Sequence, residues 1–180
     1  MSFQESKTYA NLLAALDKER ISSTQLEINS EQARREGFIE ISNRFHRTSN
    51  QQRAHAVIWL RILNEGKLPM TKENLENTVR TENEVGNNTY REYSRIAKEE
   101  GYDDIAAIFN GVANIELIYE LEFRNILDDL ESDKVFCKDQ EVLWICINCG
   151  NVLSGKCAPE ICPVCYYPQG YYKVYSNLNM

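Results

Sequence analysis

No apolar run in this chain reaches the roughly 20 residues that a helix needs to cross a bilayer. The opening residues, MSFQESKTYANLLAAL, lack the basic start and the apolar core of a signal peptide. An excess of positive charge is missing too. Lys and Arg number 20 against 27 Asp and Glu, a formal net charge of −7. A general nucleic-acid binder needs a cationic face to meet the phosphate backbone, so neither nucleic acid nor membrane is an expected partner. A cytoplasmic location is expected, where cysteines serve as thiols and metal ligands more often than as disulfides.

Helix breakers are scarce over most of the length. Between Lys7 and Glu131 there are one proline and five glycines. Charged and apolar residues alternate there at helical spacing. Four helices fit, roughly 8–36, 38–65, 72–100 and 102–131. Gly37 and Gly101 fall where the first and third helices end, and glycine takes the left-handed cap cheaply. Gly66 and Pro69 end the second, and the run from Thr71 to Asn74 offers an N-cap for the third.

The remaining prolines and all six cysteines lie after residue 134. Cys146 and Cys149 form one C-x-x-C, Cys162 and Cys165 a second, with twelve residues between the pairs. Each pair sits on a tight turn, so its sulfurs converge on one ion. Two such turns make a tetrahedral sulfur cage suited to iron or zinc. Trp144, Ile145, Ile147, Val152, Ile161 and Val164, with tyrosines 166, 167, 171, 172 and 175, are expected to wrap the cage in an apolar shell that governs solvent access and potential. Cys137 and Cys157 fall outside the two pairs and read as spare thiols. The chain thus divides into a helical part, 1–134, and a small metal-binding β/loop part, 135–180.

The helical part repeats itself. Asn11-Leu12 recurs as Asn74-Leu75 and Glu19 as Glu82, both 63 residues on. Glu36-Gly37-Phe38 recurs as Glu100-Gly101-Tyr102, Ile41 as Ile105, Phe45 as Phe109 and Leu63 as Leu127, all 64 residues on. Each half is therefore a helical hairpin, used twice. The register sets Glu19, His55, Glu82 and Glu116 near mid-helix, one on each helix, among apolar neighbours. Buried carboxylates are costly unless paired or bound to metal. A Glu-x-x-His places both ligands on one helix face, and two such helices with two further glutamates make a di-iron site in a four-helix core.

A four-helix domain followed by this ribbon resembles the rubrerythrin family, a ferritin-like bundle with a rubredoxin-like tail. The likeness runs nearly the whole chain, including IAKEEGYDDIAAIF and VFCKDQEVLWICINCG. It implies one iron on Cys146, Cys149, Cys162 and Cys165, passing electrons to a di-iron centre that reduces hydrogen peroxide under oxidative stress. Glu19, His55, Glu82 and Glu116 match family ligands. Three positions depart: Gln52 stands for a bridging carboxylate, Val85 for a glutamate and Tyr119 for a histidine. An amide brings no charge, valine no ligand, and a phenol no neutral nitrogen. An ordinary di-iron centre is therefore not expected. One metal on the four remaining ligands, or none with a hydrogen-bonded polar core, is expected instead.

Connectivity departs as well. Ferritin-like bundles use a long crossover between helices two and three, because those helices run parallel. Here residues 66–72 are available, a span of about 25 Å at full extension, against a helix of about 40 Å. Exchange of hairpins between two protomers is the expected solution. Unwound helix ends or a simple up-down bundle are the alternatives. Two functions follow. In one, the ribbon carries electrons from a small donor protein or reductase. In the other, the chain is a catalytically degenerate scaffold with a structural zinc or iron ribbon, pairing with an intact rubrerythrin.

Overall fold

The computed structural model describes residues 2–175. Long helices are followed by a three-stranded antiparallel sheet, the mainly α architecture expected. Contacts divide the chain into two compact units, Met1–Pro69 and Met70–Met180.

The first unit is a hairpin of α1 (Lys7–Arg35) and α2 (Ile39–Leu63). Ser6 caps α1, its hydroxyl accepting the Tyr9 N–H at 3.1 Å. The helix ends at Gly37, whose φ of 87° opens the turn, and the Phe38 N–H closes back on the Ala33 carbonyl at 2.8 Å. The buried residues of the two helices fall seven apart: Leu16, Ser23 and Ser30 on α1, Ser42, Ser49 and Ala56 on α2. This is a coiled-coil seam made of small side chains, which lets the helices approach closely. Its hydroxyls are satisfied across the seam. Ser23 donates to the Ser49 carbonyl at 3.1 Å, Ser49 to the Ser23 carbonyl at 2.8 Å, and Ser30 to the Ser42 carbonyl at 3.0 Å.

The second unit repeats the device. Its first limb is α3 (Thr71–Glu84), a π-helical turn (Val85–Thr89) and α4 (Tyr90–Glu99); its second is α5 (Asp103–Glu131). Thr71 is the first helical residue and not the cap; that place is taken by Met70, which makes no side-chain cap hydrogen bond. Ser94 donates to the Ala106 carbonyl at 2.8 Å, the counterpart of Ser30 and Ser42. Gly86 marks the closest approach, since a Cβ there would lie 2.8 Å from Leu117 Cγ and 3.0 Å from the Ala113 carbonyl. Buried Glu120 is neutralised by Arg124 one turn on. The π turn also explains a detail of the repeat. Buried Leu16 and Ser23 correspond to Val79 and Gly86 at an offset of 63, whereas Ser30 and Ala33 correspond to Ser94 and Ala97 at 64. The one extra residue lies in Val85–Thr89, where a π turn absorbs it without breaking the helix.

Because the seams take small residues, large apolar ones point out of each hairpin. Ile21 is 72% exposed and Ile108 65%, with Ile28, Ile58, Ile115 and Ile118 also exposed.

After α5 the chain forms β1 (Cys137–Cys146), the central strand of the order β2-β1-β3, with β2 at Val152–Cys157 and β3 at Tyr172–Val174. The ribbon core is Trp144, Cys146, Ala158, Cys162 and Tyr172, with Phe136, Val142, Leu153 and Val174 packed on it. The Trp144 indole N–H donates to the Gly155 carbonyl at 3.0 Å. The apolar shell is therefore narrower than the sequence suggests. Ile147, Val152, Ile161 and Val164 and tyrosines 166, 167, 171 and 175 are exposed, because they sit on turns or on the outer face of the pleat. Cys137 and Cys157 are not spare thiols: antiparallel pairing sets them opposite each other, and they form a disulfide.

Candidate metal centre

The ribbon ends in two matching turns. After Cys149 comes Gly150 at φ 77°, and after Cys165 comes Tyr166 at φ 61°. In each, the left-handed residue returns its N–H to the first cysteine's carbonyl, Gly150 to Cys146 at 2.8 Å and Tyr166 to Cys162 at 2.9 Å. This folds each C-x-x-C tightly and aims both sulfurs inward. The four sulfurs all lie within 4.8 Å of one another. The Cys146–Cys165 and Cys149–Cys162 separations are both 3.7 Å. A tetrahedral ion with metal–sulfur bonds of about 2.3 Å has sulfur edges of about 3.8 Å, so the cage fits such an ion as it stands. Cys146 and Cys162 are fully buried, Cys165 is partly so, and Cys149 is exposed.

Cage electrostatics favour thiolates on one side. Burial pushes the Cys162 thiol up, but the Tyr172 hydroxyl and the N–H groups of Cys165 and Val164 outweigh it and bring it to about 6. The Asn148 side chain leads in lowering Cys165, against burial. For Cys149, the Asn151 N–H pulls down, yet burial and the three other sulfurs push it up to about 12. Thiolates this close repel one another, and a bound cation relieves that repulsion. Tyr172 is itself raised to about 12, by burial and by its bond to Cys162.

The helical candidates fall into two pairs. In the first hairpin, His55 Nδ1 lies 3.6 Å from Glu19 Oε1. One turn before His55, Gln52 Oε1 is buried without a protein partner. In the second hairpin, Glu82 sits near the end of α3 and meets Glu116 on α5. Burial, and then the hydrogen bond and charge of Glu116, raise the Glu82 carboxyl above its ordinary value. Val85 opens the π turn, and Tyr119 is exposed on α5. Among the described residues, the four cage cysteines are the one group of three or more metal-binding side chains that converges. The π turn beside Glu82 was visible in the sequence as the change of repeat offset.

A tetrathiolate ribbon that follows two helical hairpins defines a non-haem metalloprotein class. Residues 144–173 match the rubrerythrin rubredoxin-like domain. Rubrerythrin-1 of Clostridium acetobutylicum is 33% identical over 191 residues, covering 98% of both chains. Rubrerythrin of Porphyromonas gingivalis is 32% identical over 183 residues, covering 96% of this chain and 92% of the relative. Rubrerythrin of Nitratidesulfovibrio vulgaris is 32% identical over 184 residues, covering 96% of each. The chain belongs to the rubrerythrin family, and its ribbon is the family's rubredoxin-like metal site of four cysteines.

Proposed function

We propose that this chain carries electrons through one iron held by Cys146, Cys149, Cys162 and Cys165, in the service of peroxide reduction in the cytoplasm. The observation that carries the reading is the cage: its edges of 3.7 Å suit a tetrahedral ion, and one of its cysteines, Cys149, is an exposed residue. Iron in such a cage exchanges one electron at a potential set by burial and by hydrogen bonds to sulfur. Here the Asn151, Val164, Cys165 and Tyr167 N–H groups and the Tyr172 hydroxyl disperse thiolate charge, which favours the reduced state. The exposed apolar residues beside the ligands, Ile147, Ile161 and Val164, offer a contact for a small donor protein or reductase.

The helical site is proposed to be partly lost. Gln52, Val85 and Tyr119 replace three family ligands, so two irons would meet three carboxylates, those of Glu19, Glu82 and Glu116, with one imidazole. Peroxide is then reduced by this chain only where those carboxylates and His55 hold a metal, and otherwise by a partner. The exposed apolar faces of both hairpins favour a homodimer in which each hairpin packs on the complementary hairpin of a second copy. The three substitutions favour a second reading, a silent subunit with a structural zinc or iron ribbon that pairs with an intact rubrerythrin.

Elemental analysis of protein purified without oxygen tests these readings. One iron per chain supports the electron carrier with an empty helical site. Two or three irons overturn the loss of that site. Zinc alone moves the assignment to the structural ribbon.

A further inference from the structure

We propose that Cys137 and Cys157 form a second redox centre, a two-electron thiol–disulfide couple that exchanges with a dithiol partner independently of the metal cage. The two residues face each other across β1 and β2 and are disulfide-bonded. Neither belongs to the tetrathiolate set.

Two features suit this bond to exchange. The ribbon does not depend on it. Its core is held by Trp144, Ala158, Tyr172 and the cage, and the regular β1–β2 ladder runs from Val142 to Ile145, beyond a break in register. The bond is also accessible. Cys157 is exposed, and Cys137 is half-buried on the wall of a cleft of about 500 Å³ that Leu130, Val135, Phe136 and Gln169 help to line.

Exposure decides the order of events. A partner thiolate attacks the Cys157 sulfur, a mixed disulfide forms there, and the bond to Cys137 breaks, leaving Cys137 as the thiolate. The partner's second thiolate then attacks its own sulfur in the mixed disulfide and releases Cys157 as a thiolate. Two electrons have passed from the partner, now a disulfide, to this chain, now a dithiol. The same steps reversed, with an oxidised partner, restore the bond. Reclosure is built in. The Ala158 N–H donates to the Phe136 carbonyl at 2.8 Å, next to the pair, and holds the two strands together after reduction.

The test uses the full, metal-loaded chain equilibrated with mixtures of reduced and oxidised glutathione. Alkylation and peptide mass analysis then read Cys137 and Cys157, while metal content is followed separately. The expected result is reversible conversion between disulfide and dithiol with the cage metal retained. In Cys137→Ser, oxidised glutathione should cap Cys157 about tenfold faster than it caps Cys137 in Cys157→Ser, following access to sulfur. A bond that yields only when the chain unfolds or the cage loses its metal would make it structural and overturn the proposal. So would two thiols that never close. The wild-type titration decides the matter even where a variant fails to fold, and neither outcome depends on which metal the cage holds.

Discussion

Tyr166 occupies a backbone conformation that suits glycine. Its φ is 61° and the residue is 80% exposed, so packing repays little of the strain. The equivalent place after Cys149 is Gly150. Tyr166→Gly should therefore stabilise the ribbon by about 1 kcal/mol while leaving metal content unchanged. Urea unfolding of the metal-loaded chain, followed at the cage absorption, checks this; a loss of stability would mean that the ring has a contact role. Glu82 supplies a second residue-scale expectation. Its carboxyl is raised above 4.5 by burial and then by Glu116. A raised carboxyl stabilises the fold fully below its ordinary value, and that contribution is lost as pH rises through the folded value. Glu82→Gln keeps a donor toward Glu116 at every pH. In chelator-treated protein, the melting temperature of this variant should match wild type in acid and exceed it by a few degrees at neutral pH. A gap that does not change with pH would dismiss the carboxyl pair as its cause.

At the scale of elements, the π turn is an insertion into a heptad seam. Val79 keeps phase before it and Gly86 at its start, Ser94 and Ala97 after it. Removing exposed Asn87 should therefore leave a regular helix with the seam intact, within about 1 kcal/mol of wild-type stability. Removing Gly111, also exposed and with open space around it, rotates the two halves of α5 and splits Ala106 from Ala113 and Glu120. That deletion should cost more than about 3 kcal/mol, through lost seam packing. Helical signal by circular dichroism against urea measures both, and equal losses would refute the reading of the π turn. The helix limits were legible because charge alternation, Gly37, Gly101 and Pro69 punctuate the chain. The cage was legible because C-x-x-C spacing carries its own geometry. The seam was not, since serine and alanine every seventh residue are hidden among larger apolar neighbours that suggest a core of their own. The disulfide escaped because strand register, which places Cys137 against Cys157, cannot be read from either cysteine alone. The tyrosines misled because turns and a pleat turn most of them outward, leaving Tyr172 to meet the cage.

For the whole molecule, the question is what covers the outward faces of the hairpins. Ile21, Ile28 and Ile58 on one, and Ile108, Ile115 and Ile118 on the other, are exposed, and burying a side chain of this kind contributes about 1.5–3 kcal/mol. The link from α2 to α3 is residues 64–70, which extends to about 25 Å. An α2 of 25 residues is about 38 Å long. The link is shorter than the helix that a parallel crossover would follow, and the proposed dimer meets this by taking the complementary hairpin from a second copy. We therefore expect a dimer in solution by light scattering, with similar hairpins exchanged. Inserting about 15 flexible Gly and Ser residues between Leu68 and Pro69 allows the chain to fold back on itself. That variant should become monomeric with unchanged helix content and an unchanged cage. A monomeric wild type would end the exchange hypothesis. A dimer that the longer link does not dissolve would mean that the copies meet through another surface, with the hairpins already packed within each chain.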